Sequence, residues 1–335
     1  MDAPTLLAAL QTALHARAAS PATDPTPLRL FNGFTEGFPP LSVERYAHTL
    51  VLLNNAQPPQ ALHPHLPAIT DFYLNALPGL TCILLKDRRA PDPEARRGRI
   101  LFGGPPATQV TENGVTYALD LTLNQDTSFY LDTRNLRLWA KETLHGKSVL
   151  NTFAYTGSLG VAALAGGAAR VVQTDLNPRF LDLAKRSTRL NGFPVRPGDF
   201  PAANFFAVTA RLRHANTLFD CVILDPPYFS TTPKGRVDVL RDYHRLVNKV
   251  RPLVAHQGYL VCVNNALFLP GAAFMHSLEQ LCADGYLSLE QTLPVPPDCT
   301  GPLPAAYPAD PAPFNHPTKI VILNVTRKDG KTSTP

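Results

Sequence analysis

The stretch from Ser148 to Leu190 constrains the fold of this chain more than any other part of it. An apolar run over 148–152 leads into a turn of small residues and then into an Ala- and Leu-rich segment. That segment stops at Gly166-Gly167, and a second apolar run ends at Asp175. The order is strand, helix, strand, which is the building block of a parallel sheet. The sequence therefore predicts an α/β protein organised around this unit.

The glycines of the turn indicate which cofactor suits the unit. They read Gly157-Ser158-Leu159-Gly160, not the G-x-G-x-x-G that lets a backbone approach a pyrophosphate closely. Asp175 follows Gly157 by 18 residues, near the spacing at which a carboxylate reaches a ribose hydroxyl. A nucleoside cofactor without phosphates fits better, and S-adenosylmethionine (SAM) is the obvious candidate. A unit without any ligand is the alternative for this stretch alone.

Composition and charge bound the number of domains and the class of partner. The 335 residues allow two domains, and an apolar content of 44% is ordinary for a soluble globular protein. Residues 1–130 hold 9 Lys/Arg against 11 Asp/Glu, whereas residues 131–335 hold 22 against 15. The second part is thus positive, which suits a polyanionic substrate and equally an ordinary solubilising surface.

Cysteine usage and hydropathy exclude several classes of protein. The five cysteines are an odd number without a C-x-x-C pair, which argues against a disulfide framework and a zinc site. His63 and His65 lie among prolines and fit a solvated loop better than a metal pair. No apolar run approaches the roughly 18 residues of a membrane helix, and the N-terminus lacks the pattern of a signal peptide. We expect a cytoplasmic protein without a metal or a membrane span.

The secondary-structure pattern divides the chain into four segments. Residues 1–27 read as a helix (4–18) and a proline-rich linker, and residues 28–124 as a small α+β domain. Residues 125–328 form the parallel-sheet domain, and residues 329–335 are a tail. Asn113-Gly114 predicts a hairpin turn in the small domain. Further predicted elements are strands over 219–224, 259–263, 286–293 and 318–325, helices over 237–254 and 270–283, and an irregular, proline-rich lid or connection over 294–317.

Polar residues follow the predicted strands, and ligands of open α/β sheets bind at those carboxyl ends. The ends carry residues 151–157, Asp175, Asn204 or Asp199, Asp225–Tyr228 and Asn264-Asn265. In Asp225-Pro226-Pro227-Tyr228 the prolines fix the backbone and remove two N–H donors. The turn therefore presents carbonyl acceptors beside the flat ring of Tyr228. Such a group can hold a planar nitrogenous substrate in line with a methyl donor, and positioning supplies most of the rate gain. A rigid turn without function is the alternative.

Two charged segments admit two interpretations each. Lys86 to Arg99 places six basic residues among three acidic ones, which predicts an exposed loop that is either simply solvated or in contact with RNA phosphates. A helix is expected to begin near Asp132, where Asp132 is either its N-cap or, with Arg134, a grip for the amino-acid end of a cofactor.

Taken together, these motifs resemble class I SAM-dependent methyltransferases of the bacterial ribosomal RNA large-subunit methyltransferase I/K type. The resemblance rests on Asn113-Gly114, Thr127–Arg134, Asn151–Gly157, Asp175–Asn177 and Asp225–Phe229, and it covers about residues 28–326. It implies a Rossmann-like, seven-stranded methyltransferase sheet preceded by a small α+β domain. It also implies SAM as the cofactor and a ribosomal RNA base as the methyl acceptor.

The resemblance assigns roles residue by residue. The catalytic group would be Asp225, Pro226, Pro227 and Tyr228, and the substrate would contact Tyr228, Phe229, Asn264 and Asn265. SAM would be held by Thr127, Phe129, Asp132, Arg134, Asn151, Phe153, Tyr155, Thr156, Gly157, Asp175, Leu176, Asn177, Asn204, Phe205 and Asp225.

Three departures from the family pattern affect the expected substrate. Asn204 stands where the family usually has an Asp near the adenine, and Asp199 is the alternative contact. The 5-methylcytosine members carry Ser-Cys-Ser after the fifth strand, where this chain has Val263-Asn264-Asn265. Methylation at cytosine C5 needs a thiolate, and Cys221 and Cys262 are expected to be buried. A base nitrogen is therefore favoured, either a ring nitrogen such as guanine N7 or an exocyclic amine, which Asp225–Tyr228 would also suit. Methyltransferase I carries an N-terminal PUA-type RNA-binding module, whereas this chain has only the helix and linker at that position.

Three other functions remain open from the sequence. The enzyme could be an N-methyltransferase of a protein or small molecule, because Asp-Pro-Pro-Tyr motifs serve amines and amides broadly. A nicotinamide oxidoreductase is disfavoured by the glycine pattern and by the Asp225–Tyr228 turn. A methyltransferase fold that binds without catalysing is disfavoured by the intact Asp175 and Asp225.

Overall fold

The computed structural model describes residues 2–17, 26–233, 235–301 and 310–333. The chain divides into two compact units. Unit 1 comprises Met1–Leu131 and Pro296–Ala309, and unit 2 comprises Asp132–Val295 and Asp310–Pro335. Parts of the predicted linker and of the 294–317 lid fall outside the described residues. The predicted domain limits stay predictions.

Unit 1 is built on a mixed five-stranded sheet. Its helices and strands are α1 (Ala3–Arg17), β1 (Leu28–Phe31), β2 (Leu41–Tyr46), β3 (Thr49–Asn54), α2 (Leu66–Ala76), β4 (Cys82–Asp87), α3 (Pro93–Arg97), β5 (Arg99–Gly103), β6 (Gln109–Glu112) and β7 (Val115–Ala118). The sheet order is β1-β2-β3-β4-β5, in which only β3 and β4 are parallel. Helix α1 joins its core, because Leu6, Leu10 and Leu14 are buried. A short helix at Pro297–Thr300 also belongs to this unit.

The hairpin predicted at Asn113-Gly114 is confirmed. Strands β6 and β7 pair antiparallel on either side of it, and φ is positive at both turn residues, 51° at Asn113 and 74° at Gly114. Two central residues with positive φ match the twist of a two-residue hairpin, and Asn-Gly tolerates them best.

The basic run that begins at Lys86 is only partly an exposed loop. The Lys86 side chain is fully buried, and its ammonium donates to the carbonyl oxygens of Arg97, Leu121 and Asn124 at 2.7, 2.6 and 2.8 Å. The predicted phosphate contact is therefore wrong for Lys86, because a buried ammonium with three acceptors cannot reach a ligand. The remaining arginines lie in α3, in β5 and before them, where a phosphate contact stays a prediction.

Unit 2 contains the predicted parallel sheet. Its helices and strands are α4 (Arg134–Thr143), β8 (Ser148–Thr152), α5 (Ser158–Ala165), β9 (Arg170–Thr174), α6 (Pro178–Leu190), α7 (Phe205–His214), β10 (Phe219–Leu224), β11 (Phe229–Thr232), β12 (Gly235–Asp238), α8 (Tyr243–Val250), β13 (Val254–Asn264), α9 (Gly271–Cys282), β14 (Leu287–Leu293) and β15 (Lys319–Val325). The sheet order is β14-β15-β13-β10-β8-β9. Strands β13, β10, β8 and β9 are parallel, and β15 runs antiparallel to both of its neighbours. The α/β fold class is confirmed.

The seventh strand of the expected sheet is reduced to a single bridge pair. Six strands are hydrogen-bonded in the part of the chain that the structure describes, and beyond β9 only Asp175 and Ala202 pair, in parallel. The approach to Ala202 contains Pro194, Pro197 and Pro201. Because proline has no N–H to donate to a ladder, these residues account for the missing strand.

The helix predicted over 237–254 is wrong in its first half. Residues 229–238 instead form the antiparallel hairpin β11–β12, and α8 begins only at Tyr243. Thr231, Thr232 and Val237 are β-branched, and such residues favour strands. The Asp238 carboxylate then accepts from the backbone N–H groups of Leu240 and Arg241 and closes a turn before the helix.

The described ranges contain neither a membrane-spanning helix nor a cluster of metal ligands. No helix there is long and apolar enough to cross a membrane. The same ranges hold no cluster of three or more His, Cys, Asp or Glu side chains that could ligate a metal ion.

Candidate cofactor and catalytic site

The loop between β8 and α5 has an uncommon backbone conformation. Phe153, Tyr155 and Gly157 have φ values of 53°, 50° and 77°. A non-glycine residue in this left-handed region costs about 1–2 kcal/mol, so surrounding contacts must hold it. The Phe153 ring stacks on Phe205 with centroids 4.6 Å apart, and the Tyr155 ring meets Phe180 edge-on at 4.5 Å. Such over-determined loops are typical of ligand sites.

The two glycines of the turn are required by a buried glutamine beneath them. A Cβ on Gly157 would lie 2.4 Å from Ala184 Cβ and 2.6 Å from Gln173 Oε1, and one on Gly160 would lie 2.4 Å from the same oxygen. Gln173 is the fourth residue of β9 and is fully buried, and its Oε1 accepts from Asn151 Nδ2 at 3.3 Å. The sequence prediction missed Gln173, although a polar residue inside an apolar strand was a visible signal.

Substitution of Gly160 by alanine is expected to lower the free energy of unfolding by about 1–3 kcal/mol, the usual cost of overpacking. Alanine is ordinarily a better helix residue than glycine, so a loss of stability would be due to the clash with Gln173. Thermal or urea unfolding measures it. Gly198→Ala is the control, because no atom lies within 4 Å of a Cβ there. The double variant Gly160→Ala/Gln173→Ala should recover stability relative to the sum of the two single changes, and strict additivity would contradict the packing argument.

Asp175 joins the loop to the end of β9. Its Oδ2 accepts from the backbone N–H of Tyr155 and its Oδ1 from that of Asn177, both at 2.9 Å. Burial raises the pKa of Asp175 above its ordinary value, and these backbone hydrogen bonds oppose that shift. Leu176 follows with 60% of its side chain exposed. An ionisable carboxylate beside an exposed apolar residue suits a ribose and an adenine face.

Asn177 is confirmed as the N-cap of α6. Its side-chain oxygen accepts from the backbone N–H of Arg179 at 3.0 Å, and Pro178 occupies the first turn. Because that side-chain oxygen caps the helix, Asn177 would contact a cofactor through its side-chain NH2 or its backbone.

The two candidates for the adenine contact lie at different ends of β9. Asp199 pairs with the Arg170 guanidinium at 2.9 Å, and Arg170 starts the strand that ends before Asp175, about 16 Å away. Asn204 lies two residues after Ala202, which pairs with Asp175. Asp199 is the less favourable candidate, because its carboxylate is already paired with Arg170. Asn204 lies at the carboxyl edge of the sheet and stays a predicted contact.

The side chain of Asn204 already has partners. Its Oδ1 accepts from the backbone N–H of Phe206 at 3.0 Å, which caps α7, and its Nδ2 donates to the Thr232 hydroxyl at 2.8 Å. Phe205 is buried under the loop against Phe153. Asn204 thus links the strand end to the β11–β12 hairpin.

The predicted belt from Thr127 to Arg134 crosses the division between the two units. In unit 1 the Thr127 hydroxyl and the Phe129 carbonyl both bond to the Tyr46 hydroxyl, at 2.8 and 2.9 Å, and the Phe129 ring is buried. In unit 2 the Asp132 carboxylate accepts from the Thr318 hydroxyl, and α4 begins at Arg134. The N-cap position falls at Thr133, so the capping role predicted for Asp132 is wrong.

Asp225 follows the central strand β10 and is the least satisfied carboxylate at this edge. It is partly exposed, and no hydrogen-bond partner of its carboxylate is found among the described residues. Burial, with a smaller contribution from the neighbouring Asp132 carboxylate, raises the pKa of Asp225 to about 7. Pro226 is buried, whereas the side chains of Tyr228 and Phe229 are 48% and 55% exposed. A perturbed carboxylate beside an exposed ring is a feature of functional sites.

The Asn264-Asn265 pair at the end of β13 has one buried and one exposed member. Asn264 is fully buried, its Nδ2 donates to the Val239 carbonyl at 3.1 Å, and its Oδ1 accepts from the Ala266 N–H at 2.9 Å. A substrate cannot reach that amide, so the substrate contact predicted for Asn264 needs correction: the residue positions the loop. Asn265 is exposed and keeps its predicted role as a candidate contact.

Several observations at this edge fit SAM. Asn151 Oδ1 is buried without a hydrogen-bond partner in the described part of the chain, and the glycine turn lies above it. The Asp175 carboxylate and the exposed Leu176 follow the adjacent strand. Together they offer polar and apolar contacts for a nucleoside that carries an amino-acid group.

Comparisons with known proteins agree with this arrangement. A sequence model described as S-adenosylmethionine-dependent methyltransferase matches residues 46–306. The ribosomal RNA large subunit methyltransferase I of Photobacterium profundum is 29% identical over 291 residues, which is 84% of this chain and 72% of that protein. Methyltransferase K of Neisseria meningitidis is 37% identical over 158 residues, 47% of this chain and 45% of that protein.

A solved structure has the same fold. It is a protein proposed to be a methyltransferase and crystallised with S-adenosylhomocysteine (SAH), and it superposes with a TM-score of 0.82 at 22% identity. The alignment covers 97% of this chain and 82% of that one.

Proposed function

Because this chain belongs to the S-adenosylmethionine-dependent methyltransferase family, we propose that it methylates a base of ribosomal RNA at a nitrogen, in the manner of guanine N7. The proposal is supported by the names of its relatives, methyltransferases I and K of the large ribosomal subunit RNA. The observation that carries it is the partly buried Asp225 carboxylate, without a bonded partner in the described residues, beside the exposed Tyr228.

Different residues at the strand ends would bind the cofactor and the substrate. When bound, SAM supplies an electrophilic methyl group on a sulfonium. Asp175 would accept hydrogen bonds from its ribose, Leu176 and the Asn204–Phe205 segment would flank the adenine, and the 151–157 loop would surround the remainder. Asp132 and Arg134 are proposed for the amino-acid end, where Arg134 offers a cation to a carboxylate.

Asp225 and the prolines after it would hold the accepting base. The carboxylate accepts a hydrogen bond from an N–H group of the base, and the fixed turn presents a carbonyl beside it. Tyr228 offers a ring on which the base stacks. These contacts align the nitrogen lone pair with the methyl group, so the side chains contribute by positioning more than by proton transfer.

The two cysteines of the central strands, Cys221 in β10 and Cys262 in β13, favour a nitrogen acceptor over cytosine C5. Methylation at C5 requires a thiolate that adds to the neighbouring carbon. Cys221 and Cys262 are fully buried, as expected from the sequence, and burial raises the pKa of both thiols, that of Cys262 to about 12. Neither is ionised near neutral pH. A nitrogen with a free lone pair needs no covalent nucleophile.

The direct test compares ribosomal RNA nucleosides by mass spectrometry from cells with and without the gene. One methylated nucleoside should disappear without the gene and return when purified protein and SAM are added to the extracted RNA. Loss of a methylated protein residue or small molecule, with unchanged RNA nucleosides, would instead identify an N-methyltransferase of another substrate class.

The affinity for SAM is expected to depend on pH through Asp225. With a pKa near 7 the free carboxylate is largely protonated at lower pH, and a nearby sulfonium cation favours its ionised form. Affinity should therefore rise with pH up to about 7 and level off above it. Calorimetry between roughly pH 5.5 and 8.5 measures this. Asp225→Asn should remove the dependence, and SAH, which lacks the sulfonium charge, should show less of it; equal profiles for wild type and variant would contradict the assignment.

A further inference from the structure

The most exposed large hydrophobic side chains of the described residues follow neighbouring strands at one edge of the sheet. They are Phe268 (79% exposed), Leu267 (62%), Leu176 (60%) and Phe229 (55%). All lie within five residues of the carboxyl ends of β13, β9 or β10. Exposed apolar groups concentrated in one region indicate a binding surface. The proposed function uses Leu176 and Phe229 but gives no role to Leu267 and Phe268.

A series of three hydrogen bonds connects the loop that carries Phe268 to the Asp225–Tyr228 turn. The Val239 N–H donates to the Tyr228 carbonyl at 3.2 Å, and the Val239 carbonyl accepts from Asn264 Nδ2 at 3.1 Å. Asn264 Oδ1 then accepts from the Ala266 N–H at 2.9 Å. Leu267 and Phe268 follow directly. The buried Asn264 amide therefore holds the start of this loop in a fixed relation to Tyr228.

We propose that Phe268, supported by Leu267, is a stacking platform for the nucleobase next to the methylated one. The inference rests on the proposed function and narrows its substrate to unpaired RNA. A base must leave its helical stack for one of its nitrogens to reach a partly buried carboxylate such as Asp225. The neighbouring base then loses a stacking partner, and the exposed Phe268 ring would replace that partner.

The charges around the platform favour RNA over an apolar protein surface. Arg236 and Arg245 share the single carboxylate of Asp242, at 2.7 and 3.6 Å. The Arg241 side chain is exposed and makes no ion pair among the residues that the structure describes. These arginines flank Val239, the centre of the hydrogen-bond series. These three arginines outnumber the carboxylates of Asp238 and Asp242, and exposed aromatic side chains together with a positive charge are the usual surface for single-stranded nucleic acid.

The experiment uses the full chain and RNA with the mapped target. Methyl transfer is measured first on ribosomal RNA from cells without the gene, then on a short single-stranded oligoribonucleotide that spans the target. Phe268→Ala should raise the KM for RNA about tenfold, the loss of one stacked base, with kcat and the dissociation constant of SAM unchanged. Phe268→Trp should retain the wild-type KM, and Phe268→Leu should behave like Phe268→Ala.

A direct readout distinguishes stacking from other losses. With 2-aminopurine beside the target, fluorescence should be quenched on binding to wild type and to Phe268→Trp but not to Phe268→Ala. The matched control is Leu190→Ala, which removes a side chain 46% exposed at the far end of α6.

Four results would overturn the platform. Equal KM for wild type and Phe268→Ala rejects it while leaving the proposed function intact. A Phe268→Leu variant with wild-type KM shows that an apolar contact without stacking suffices, and an oligomer lost in Phe268→Ala by light scattering while the KM for RNA stays the same assigns the patch to protein contact. Absence of any methyl transfer to the RNA by wild type rejects the proposed function itself, and the platform with it.

Discussion

Replacement of Asp225 by asparagine is expected to reduce methyl transfer by about a thousandfold, within the range for losing one positioned catalytic group. Asparagine keeps the volume but not the charge, and it can present its amide N–H groups where the base requires an acceptor. The backbone of the turn should not move, because Pro226 and Pro227 fix it. Single-turnover rates with saturating SAM and RNA measure the effect on chemistry, apart from binding.

The same substitution should not destabilise the protein. The pKa of Asp225 is raised from 3.8 to about 7 in the folded state. Between those values the folded chain binds more protons than the unfolded one, so this group's contribution to stability is lost as pH rises through 7. Near pH 8 the ionised carboxylate is unfavourable, and Asp225→Asn should melt at the same temperature as wild type or higher. Inactivity without instability is the signature of a functional carboxylate.

The control for Asp225 is Asp182→Asn, a change to an exposed carboxylate on α6 that pairs with Lys185. It should alter neither activity nor melting temperature, since exposed pairs of this kind contribute little. If Asp225→Asn retains full activity, the assignment of the turn is wrong. If it loses activity only together with its fold, Asp225 is structural.

Features encoded within a few residues could be predicted from the sequence. The strand-helix-strand unit, the Asn113-Gly114 turn and the Asn177-Pro178 helix start depend on local chemistry, and the structure has all three. The position of Asp175 directly after β9 could be predicted because its spacing from Gly157 follows from one helix and one strand.

Features that depend on partners distant in sequence could not be predicted. Asp199 is held by Arg170, 29 residues away, and Lys86 by the carbonyls of Leu121 and Asn124, 35 and 38 residues away. Both side chains looked available for ligands, because composition shows charge but not the partner. The adjacent residues Asn264 and Asn265 differ for the same reason, since burial of one depends on Val239 in the hairpin. The hairpin was itself missed, because its Thr and Val residues stood next to an amphipathic helix.

Replacement of Asp175 by alanine is expected to weaken SAM binding by about 1–3 kcal/mol, or roughly 5- to 150-fold, the range for losing hydrogen bonds to a charged group. Two causes act together. The carboxylate would lose its ribose contacts, and the Tyr155 and Asn177 N–H groups, each 2.9 Å from it, would lose their acceptor. Without that acceptor the left-handed Tyr155 is less firmly held, so the loop should also exchange its amide hydrogens faster.

A 2′,3′-dideoxy analogue of SAM separates the two causes. In wild type the analogue should bind more weakly than SAM, because it lacks the ribose hydroxyls. In Asp175→Ala the two ligands should bind alike, since the partner of those hydroxyls is gone, while the weakening that remains reports the loop. Asp175→Asn, which keeps one acceptor oxygen, should fall between wild type and alanine. Two results would contradict the ribose contact of Asp175 and place the nucleoside elsewhere along the strand edge. One is an unchanged SAM affinity in Asp175→Ala by calorimetry, and the other is an equal preference for SAM over the analogue in both proteins.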